Sequence, residues 1–421
     1  MRHLALLLAL LATPAFATPD PYAARVARVL RATPLIDGHN DWAESLASEE
    51  GDRRWMLDLR SLAQRPHRYH TDIGRLRQGM VGGQFWSVWV SASQPELDQV
   101  KATLDQIDLV RTIVARYPET FALATTAADV RRIHASGRIA SLMGVEGGGQ
   151  IDDDLSVLRA YRALGCAYLT LTHFKTIAWA DSATDAPAHG GLTPFGVAVV
   201  HELNRLGMLV DLAHVSEATM RAAIAASKAP VIFSHSSARA LVDHPRNVPD
   251  DVLRLVAANG GVVMVNFYPA YVSDAYRLWS AARTGEKARL DALDTGTPDR
   301  AAADLATWDA AHPKPLVTLT MVADHIEHVA RIAGADHVGL GSDFDGIEDA
   351  PQGLGDVATY PALLAELMRR GWSDADVAKL AGGNVLRVMA AAEHVATEMR
   401  REPPGTATEA ALDGHPAPLS H

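Results

Sequence analysis

The chain has 421 residues, a length that fits either two ordinary domains or one α/β barrel with insertions. Its 39 Lys plus Arg are outnumbered by 50 Asp plus Glu, which gives a formal net charge of −11, and no long basic block offsets this balance. These charges argue against nucleic-acid binding, and the single cysteine, Cys166, excludes an internal disulfide.

The N-terminus has the three parts of a secretory signal peptide. Arg2 supplies the basic part, residues 4–11 form an apolar stretch, and residues 15–17 (Ala-Phe-Ala) form a small-x-small cleavage site. A membrane-spanning helix needs roughly 20 apolar residues, and this stretch is far shorter. We therefore expect a signal peptide over residues 1–17 and export of the mature protein, to the periplasm or as a secreted protein.

Eight mostly apolar runs have the length and composition of buried strands. They are residues 34–39, 82–90, 138–146, 166–173, 208–214, 230–235, 260–268 and 337–344. Amphipathic helical patterns lie between most of these runs, at residues 97–117, 193–207, 248–261 and 320–335. This alternation predicts an α/β fold with a parallel sheet covered on both faces. Eight units favour a (β/α)8 TIM-like barrel, with an open doubly wound sheet as the alternative, because periodicity does not show closure.

Two regions depart from the repeat. Residues from about 269 to 315, after the seventh run, are too long for a usual connection and are predicted to be an inserted helical segment. We expect a lid or pocket wall there, since barrels carry their active sites at that end of the strands; a packing or dimer-contact role is the alternative. Residues 18–400 are predicted to form a single catalytic domain. Residues 401–421 are polar and Pro-rich, which predicts a disordered tail without a hydrophobic anchor signal.

Side chains that bind metals or transfer protons follow the apolar runs. His39 and Asp41 are two residues apart after the first run, so both can reach one ion from an extended segment. Further candidates end the third, fifth, sixth and eighth runs: Glu146, His214, His235 and Asp343. Parallel strands of a barrel end at one rim, so we expect these side chains to meet there. Imidazole plus carboxylate ligands without a cysteine cluster favour a catalytic zinc site.

This ligand set is typical of a two-metal hydrolase. Glu146 is the candidate for a bridging ligand, because it lies between the His39/Asp41 pair and the His214/His235 pair in the sequence. Two ions that share one hydroxide generate a strong nucleophile near neutral pH.

Three further residues have candidate roles in the chemistry. Asp343 can act as general base and then as general acid; a further metal ligand or a turn residue is the alternative. His173, at the end of the fourth run, can stabilise an oxyanion as a neutral donor, or can be a structural histidine. Arg246, on the loop after the sixth run, can grip a carboxylate through two N–H groups, or can form an ordinary surface salt bridge.

Several longer segments occur in an order that identifies a family resemblance. They are DGHND, GVEGG, LTLTHFKTIAWADS, GMLVDLAHVS, FSHSSARALVDHPRNVPDD, VMVNFY, GLGSDFDG and LAGGNVLRV, which run from about Leu35 to Val388. Together they closely resemble the membrane dipeptidase (renal dipeptidase) family of dizinc peptidases, in the amidohydrolase-like barrel group. The resemblance implies that one zinc is held by His39, Asp41 and Glu146, and the other by Glu146, His214 and His235.

The resemblance also implies how a substrate is bound and cleaved. It places His173 at the scissile carbonyl, Arg246 at the substrate carboxylate, and Asp343 at the bridging hydroxide and the amine proton. Tyr268, at the end of VNFY, is a further pocket residue. The predicted activity is zinc-dependent hydrolysis of L,L and L,D dipeptides by a metal-bridging hydroxide, with Glu146, His173 and Asp343 as catalytic residues.

Two alternatives to this activity are open. One is a dizinc amidohydrolase that acts on N-acyl amino acids, lactones or β-lactam-type amides; the other is a non-catalytic exported protein that binds zinc or peptides. Animal members of the family carry disulfides and a lipid anchor, whereas this sequence has one cysteine and no anchor signal. We therefore expect an exported protein without a membrane anchor. A homodimer is one expected assembly, since family members are often homodimers.

Overall fold

The centre of the molecule is a closed barrel of parallel strands. The structure, a computed structural model, describes residues 20–65 and 68–414. Its strands are β1 (Leu35–Asn40), β2 (Val81–Trp89), β3 (Phe121–Leu123), β4 (Ile139–Glu146), β5 (Cys166–Thr170), β6 (Leu209–Asp211), β7 (Ile232–Phe233), β8 (Val262–Val265) and β9 (Val338–Leu340).

Pairing between β2 and β4 closes the barrel. The two strands are in parallel register from Gly83↔Ala140 to Trp89↔Glu146, and the remaining pairs run in the order β2-β1-β9-β8-β7-β6-β5-β4. The short β3 pairs only with the start of β4, so eight strands of the described part form the barrel. The (β/α)8 prediction is confirmed, and the open-sheet alternative is wrong because β2 has a neighbour on each side.

Helices surround the strands and agree with the amphipathic patterns. They are α1 (Ala23–Ala32), α2 (Trp42–Glu50), α3 (Ile73–Gln78), α4 (Glu96–Arg116), α5 (Ala127–Ala135), α6 (Leu155–Leu164), α7 (Pro194–Leu206), α8 (Glu217–Ala226), α9 (Asp250–Asn259), α10 (Pro269–Val272), α11 (Asp274–Leu293), α12 (Pro298–Ala311), α13 (Leu319–Ala333), α14 (Tyr360–Arg369), α15 (Asp374–Ala378), α16 (Asn384–Met399) and α17 (Glu409–Asp413). The four predicted helices correspond to α4, α7, α9 and α13.

Local signals in the sequence explain where α7 begins and ends. Thr193 caps its N-terminus, because its hydroxyl accepts from the Gly196 N–H, and Pro194 occupies the first turn, where a missing N–H costs nothing. Gly207 ends α7 in the left-handed region, with φ 66°. The predicted inserted segment is also helical, since α10, α11 and α12 follow β8, the seventh strand of the barrel.

Several strands end earlier than their apolar runs. β6 stops at Asp211 and β9 at Leu340, each before the polar residue that the run was predicted to present. His214 and Asp343 have φ values of 68° and 67°, a left-handed conformation that an extended strand does not contain. These side chains therefore lie in the loops just beyond the strand ends.

The C-terminal segment differs from the predicted disorder over residues 401–414. The carboxylate of Asp413, at the end of α17, accepts from the Phe195 N–H at 3.1 Å, and the Gly405 carbonyl accepts from Arg159. The side chain of Asp413 thus satisfies an otherwise unpaired N–H of the first turn of α7, which the composition of the tail does not reveal. Residues 415–421, and the predicted signal peptide over residues 1–17, lie outside the described residues. No helix within the described residues is long and apolar enough to cross a membrane.

Candidate active site and metal centre

A cleft of about 480 Å³ lies at the carboxyl ends of the strands. The residues that line it include Asp41, Glu146, His173, His214, Tyr268 and Asp343. The inserted helix α11 contributes Ser280 and Thr284 to the wall. The insertion therefore borders the same cleft as the predicted site residues.

The carboxylate of Glu146 lies at the centre of the histidine cluster. Its Oε2 is 3.2 Å from His39 Nε2, and its Oε1 is 3.1 Å from His214 Nε2 and 3.5 Å from His235 Nε2. The hydroxyl of Ser87 donates to Oε2 at 3.0 Å. Because each oxygen faces a different histidine group, this carboxylate has the geometry of a bridge between two positions.

His39 is fixed so that one ring nitrogen is available for the cleft. Its Nδ1 lies 2.9 Å from the hydroxyl of Tyr168, which in turn donates to the Gly38 carbonyl, so Nδ1 is the donor to Tyr168. Nε2 is 3.3 Å from Asp41 Oδ2 and has no hydrogen-bond partner. Gly144 makes room for the tyrosine ring, because a Cβ there would lie 1.9 Å from Cζ of Tyr168.

Asp41 reaches the same point in a different conformation from the predicted one. Its φ of −94° and ψ of 19° are not extended, because it precedes the first turn of α2. The Asp41 N–H donates to the Phe344 carbonyl, which holds the residue beside the last strand of the barrel.

A second chain of hydrogen bonds fixes His235. The Ser234 hydroxyl donates to Asp211 Oδ2 at 2.6 Å and therefore accepts from His235 Nδ1 at 2.8 Å. Nε2 of His235 is left for the cleft and lies 2.9 Å from Nε2 of His214. His214 Nδ1 is buried and has no hydrogen-bond partner.

The donor set fits divalent metal ions. Three groups have their ligand atoms within 4.8 Å of one another: His39, Glu146 and His235; Glu146, His173 and His214; and His39, Asp41 and Asp343. Imidazole nitrogens and carboxylate oxygens are ligands of zinc and related ions. A buried ring nitrogen without a hydrogen-bond partner, such as His39 Nε2, is otherwise costly, and a bound cation would satisfy it.

The charges in the cluster are strongly coupled. Burial acts to raise the pKa of Glu146, but His39 and His214 outweigh it and hold the pKa well below its ordinary value. Burial lowers the pKa of His214 and His235 well below the ordinary value, and the Arg246 charge lowers both further. Two neutral imidazoles and one ionised carboxylate are the protonation states that metal binding requires.

Asp343 differs from Glu146 although both line the cleft. Burial raises its pKa to about 7, opposed by His39 and reinforced by the negative charge of Asp41. The side-chain amide of Asn266 donates to Asp343 Oδ2 at 2.9 Å. A carboxyl group with a pKa near neutral can exchange protons at physiological pH.

His173 lies at the edge of the cluster. Its Nε2 is 3.8 Å from Glu146 Oε1, and its Nδ1 accepts from the indole N–H of Trp89 at 3.1 Å. Burial lowers the pKa of His173 below its ordinary value. The ring is therefore a neutral imidazole that faces the cleft.

Arg246 and Tyr268 occupy different depths. Tyr268 lines the cleft, whereas Arg246 is 1% exposed and lies behind Tyr271, whose ring centroid is 5.3 Å from the guanidinium carbon. Arg246 donates to the Ser236 hydroxyl at 3.2 Å and to the His235 carbonyl at 3.1 Å. It is not the surface salt bridge considered as the alternative, because the side chain is buried and donates to a hydroxyl and a carbonyl.

Four residues that orient the site were not predicted from the sequence. Tyr168, Ser234, Asn266 and Trp89 each contact one of the predicted side chains. Ser234 and Asn266 are polar residues within predicted buried strands, which is a usable signal, whereas a tyrosine or tryptophan there is indistinguishable from a core residue.

Comparison with known proteins agrees with this geometry. A sequence model of the membrane dipeptidase family (peptidase family M19) matches residues 23–403. The chain is 40% identical over 392 residues to the dipeptidase verJ of Clonostachys rogersoniana, covering 90% of each protein. It is 25% identical to the probable dipeptidase PvdM of Pseudomonas aeruginosa, with a TM-score of 0.75 over 90% of this chain and 100% of that one.

A third relative was solved with a substrate mimic. This is a metallopeptidase from Rhodobacter sphaeroides, liganded with a phosphinate mimic of the dipeptide L-Ala-D-Ala. The chain is 25% identical to it, with a TM-score of 0.70 over 86% of this chain and 99% of that one. With the family match across nearly the whole barrel and a metal-binding cluster at its rim, the chain belongs to the membrane dipeptidase family of metallopeptidases.

Proposed function

We propose that this enzyme is a dizinc dipeptidase that hydrolyses the peptide bond of L,L and L,D dipeptides. The observation that supports it most is the position of Glu146, whose two oxygens face His39 on one side and His214 with His235 on the other. One zinc would be held by His39, Asp41 and Glu146, and the second by Glu146, His214 and His235. When bound, the ions supply an activated water and polarise the scissile carbonyl.

The buried charge of Arg246 supports a substrate with a free carboxylate. A buried guanidinium without a carboxylate partner is costly, since an uncompensated buried charge destabilises a protein by several kcal/mol. Arg246 uses two of its five N–H donors on Ser236 and His235, and its Nε has no partner. The carboxylate of a dipeptide would neutralise this charge, so Arg246 is assigned to substrate binding.

Two residues are assigned to the chemistry beside the metals. Asp343, with its pKa of about 7, takes the proton of the attacking water and delivers it to the departing amine. His173 donates from Nε2 to the oxyanion that forms from the scissile carbonyl. Tyr268, on the cleft wall beside α11, contacts the substrate.

The stereochemical range and the location of the enzyme are also part of the proposal. Acceptance of a D-residue at the C-terminal position is supported by the relative that binds a mimic of L-Ala-D-Ala. Export to the periplasm or the medium is proposed from the sequence of residues 1–17. A homodimer is proposed only because members of the family are often homodimers.

The decisive experiment measures hydrolysis of L-Ala-L-Ala and L-Ala-D-Ala by metal-stripped protein before and after zinc is added. We expect activity only with zinc, with two equivalents bound at full activity. Verified dizinc protein that cleaves neither dipeptide would refute the proposal. Cleavage of N-acyl amino acids, lactones or β-lactams instead would identify another amidohydrolase, and no hydrolysis at all would identify a binding protein.

The variant Arg246→Ala tests the carboxylate contact. We expect KM for dipeptides to rise by about 100-fold or more, because a charge-assisted pair is lost from a buried site. Arg239→Ala is the matched control, since Arg239 lies on the same loop but pairs with Asp243 at the surface. Equal KM values for Arg246→Ala and the wild type would remove Arg246 from substrate binding.

A further inference from the structure

We propose that Trp89 is a positioning residue that keeps the proton of His173 on Nε2, and so keeps this histidine a hydrogen-bond donor and not a metal ligand. This inference rests on the proposed function for its catalytic meaning, but its structural content can be tested without a substrate. No sequence motif identified Trp89.

The chemistry of the two side chains determines the direction of their hydrogen bond. An indole N–H can only donate, so His173 Nδ1, 3.1 Å away, must be the acceptor. A neutral imidazole carries one proton, and with Nδ1 accepting, that proton lies on Nε2. The rings meet edge to face, with centroids 5.5 Å apart and an interplanar angle of 67°, so the indole edge points at the imidazole.

The neighbouring histidines have the opposite arrangement. Nδ1 of His39 donates to Tyr168, and Nδ1 of His235 donates to Ser234, which leaves Nε2 of each ring with a free lone pair. Among His39, His173 and His235, only His173 faces an obligatory donor at Nδ1. All three rings therefore turn Nε2 towards the cleft. On His39 and His235 this nitrogen has a lone pair that can bind a metal, whereas on His173 it carries a proton.

Without this constraint, His173 is close enough to join the metal site. Its Nε2 is 3.8 Å from Glu146 Oε1, and its ring centroid is 4.3 Å from that of His214. The ligand atoms of Glu146, His173 and His214 lie within 4.8 Å of one another, so distance alone would admit His173 as a ligand. The proton on Nε2 excludes coordination through that nitrogen and preserves a donor for a developing oxyanion.

The backbone holds Trp89 in position for this contact. Trp89 is the last residue of β2 and is in register with Glu146, the last residue of β4. The two residues therefore lie side by side at the rim of the barrel. The side chain of Gln106, on α4, donates to the Trp89 carbonyl. Both ends of the Trp89–His173 hydrogen bond are thus attached to the rim of the barrel.

The first test observes the tautomer directly in the zinc-loaded wild-type protein. Protein with ¹⁵N-labelled histidine is studied by long-range ¹H–¹⁵N NMR, and the signals of His173 are identified by their loss in His173→Gln. We expect a protonated Nε2 and an unprotonated Nδ1. A proton on Nδ1, or a metal-shifted Nε2, would overturn the proposal even if the enzyme is an active dipeptidase; absence of dipeptidase activity would refute the proposed function and leave the tautomer result standing.

The second test is a double-mutant cycle with Trp89→Phe, which keeps an aromatic ring but removes the donor. We expect kcat to fall by about tenfold with KM within about twofold, as a transition-state donor becomes only partly available. In the His173→Gln variant the glutamine amide donates through its NH₂ group and has no tautomers. Adding Trp89→Phe to this variant should therefore change kcat by less than about twofold. Equal losses in both backgrounds, or no loss in the first, would contradict the positioning role; Trp55→Phe, at the surface, is the control.

Discussion

The hydrogen bond between Tyr168 and His39 predicts a specific loss of metal affinity in the variant Tyr168→Phe. The phenol oxygen lies 2.9 Å from His39 Nδ1, and both side chains are fully buried. Phenylalanine keeps the ring that fits against Gly144 and removes the hydroxyl that accepts from His39 Nδ1 and donates to the Gly38 carbonyl. Metal binding through Nε2 forces the imidazole proton onto Nδ1, where the variant offers it no partner.

The expected magnitude follows from that unpaired N–H. A buried donor without an acceptor costs about 1–3 kcal/mol, and loss of a hydrogen bond behind a metal-binding histidine typically lowers metal affinity by about 10- to 100-fold. In the metal-free variant the carboxylate of Glu146, 3.2 Å away, favours the proton on Nε2, so a neutral His39 there carries no unpaired Nδ1–H. The penalty therefore falls on the metal-bound state, and we expect the zinc dissociation constant to rise by about 10- to 100-fold.

Zinc affinity is measured by competition with a chromophoric chelator at fixed pH. Tyr161→Phe is the matched control, since the Tyr161 hydroxyl is equally buried and donates to the Gln150 carbonyl at 2.6 Å. The control should lose about 1 kcal/mol of unfolding free energy with unchanged zinc affinity. Equal zinc affinities for wild type and Tyr168→Phe would refute the assignment of His39 as a ligand oriented by Tyr168.

Three further outcomes follow from the acidic residues of the cleft. Asp343→Asn should bind metal normally, by metal analysis, while kcat falls by about 10²- to 10⁴-fold, and an active metal-loaded variant would contradict its role in proton transfer. Asn266→Leu removes a donor that stabilises ionised Asp343, so the acid limb of kcat/KM should move up by about one pH unit; an unmoved limb would assign it to another group. Burial raises the pKa of Asp345 from 3.8 to about 7, so native metal-free protein retains a proton that the unfolded chain releases, and stability falls as pH rises from 3.8 to 7. Asp345→Asn should therefore raise the unfolding free energy at pH 8 by up to about 4 kcal/mol and leave it nearly unchanged at pH 3; urea denaturation at both pH values would contradict this if the two changes were equal.

The fold could be predicted from the sequence because the hydrophobic periods of strands and helices differ clearly. Eight apolar runs and the amphipathic helices between them predicted the barrel, and the pattern over residues 193–207 predicted α7. The positions at which the strands end were harder to predict. His214 and Asp343 adopt left-handed backbone conformations that cannot be predicted from the residue type alone. The strands before them are also shorter than the apolar runs.

The residues of the candidate site could be predicted only in part from the sequence, for a physical reason. Histidines and carboxylates recur at the ends of five apolar runs, and this recurrence, more than any single residue, predicted the metal site. Tyr168 and Trp89 act through a single polar atom on a large apolar body, so the sequence alone reads them as core residues. Their partners, His39 and His173, are distant in sequence and meet them only when the barrel closes.

Three buried carboxyl groups show why burial does not determine charge at this site. Asp37, Asp211 and Glu146 are all buried within the barrel, yet burial raises the pKa of the two aspartates, whereas the pKa of Glu146 lies well below its ordinary value. The aspartates accept hydrogen bonds from neutral hydroxyls, such as Ser342 on Asp37 and Ser234 on Asp211, which offset only part of the desolvation. Glu146 instead faces imidazoles that can carry positive charge. The positive charge of His39 contributes most to keeping Glu146 ionised, whereas Asp211, one hydrogen bond farther from His235, acts through Ser234 to orient that ring. The identity of the partner across the barrel, and not the depth of the residue, separates a metal ligand from a residue that positions one.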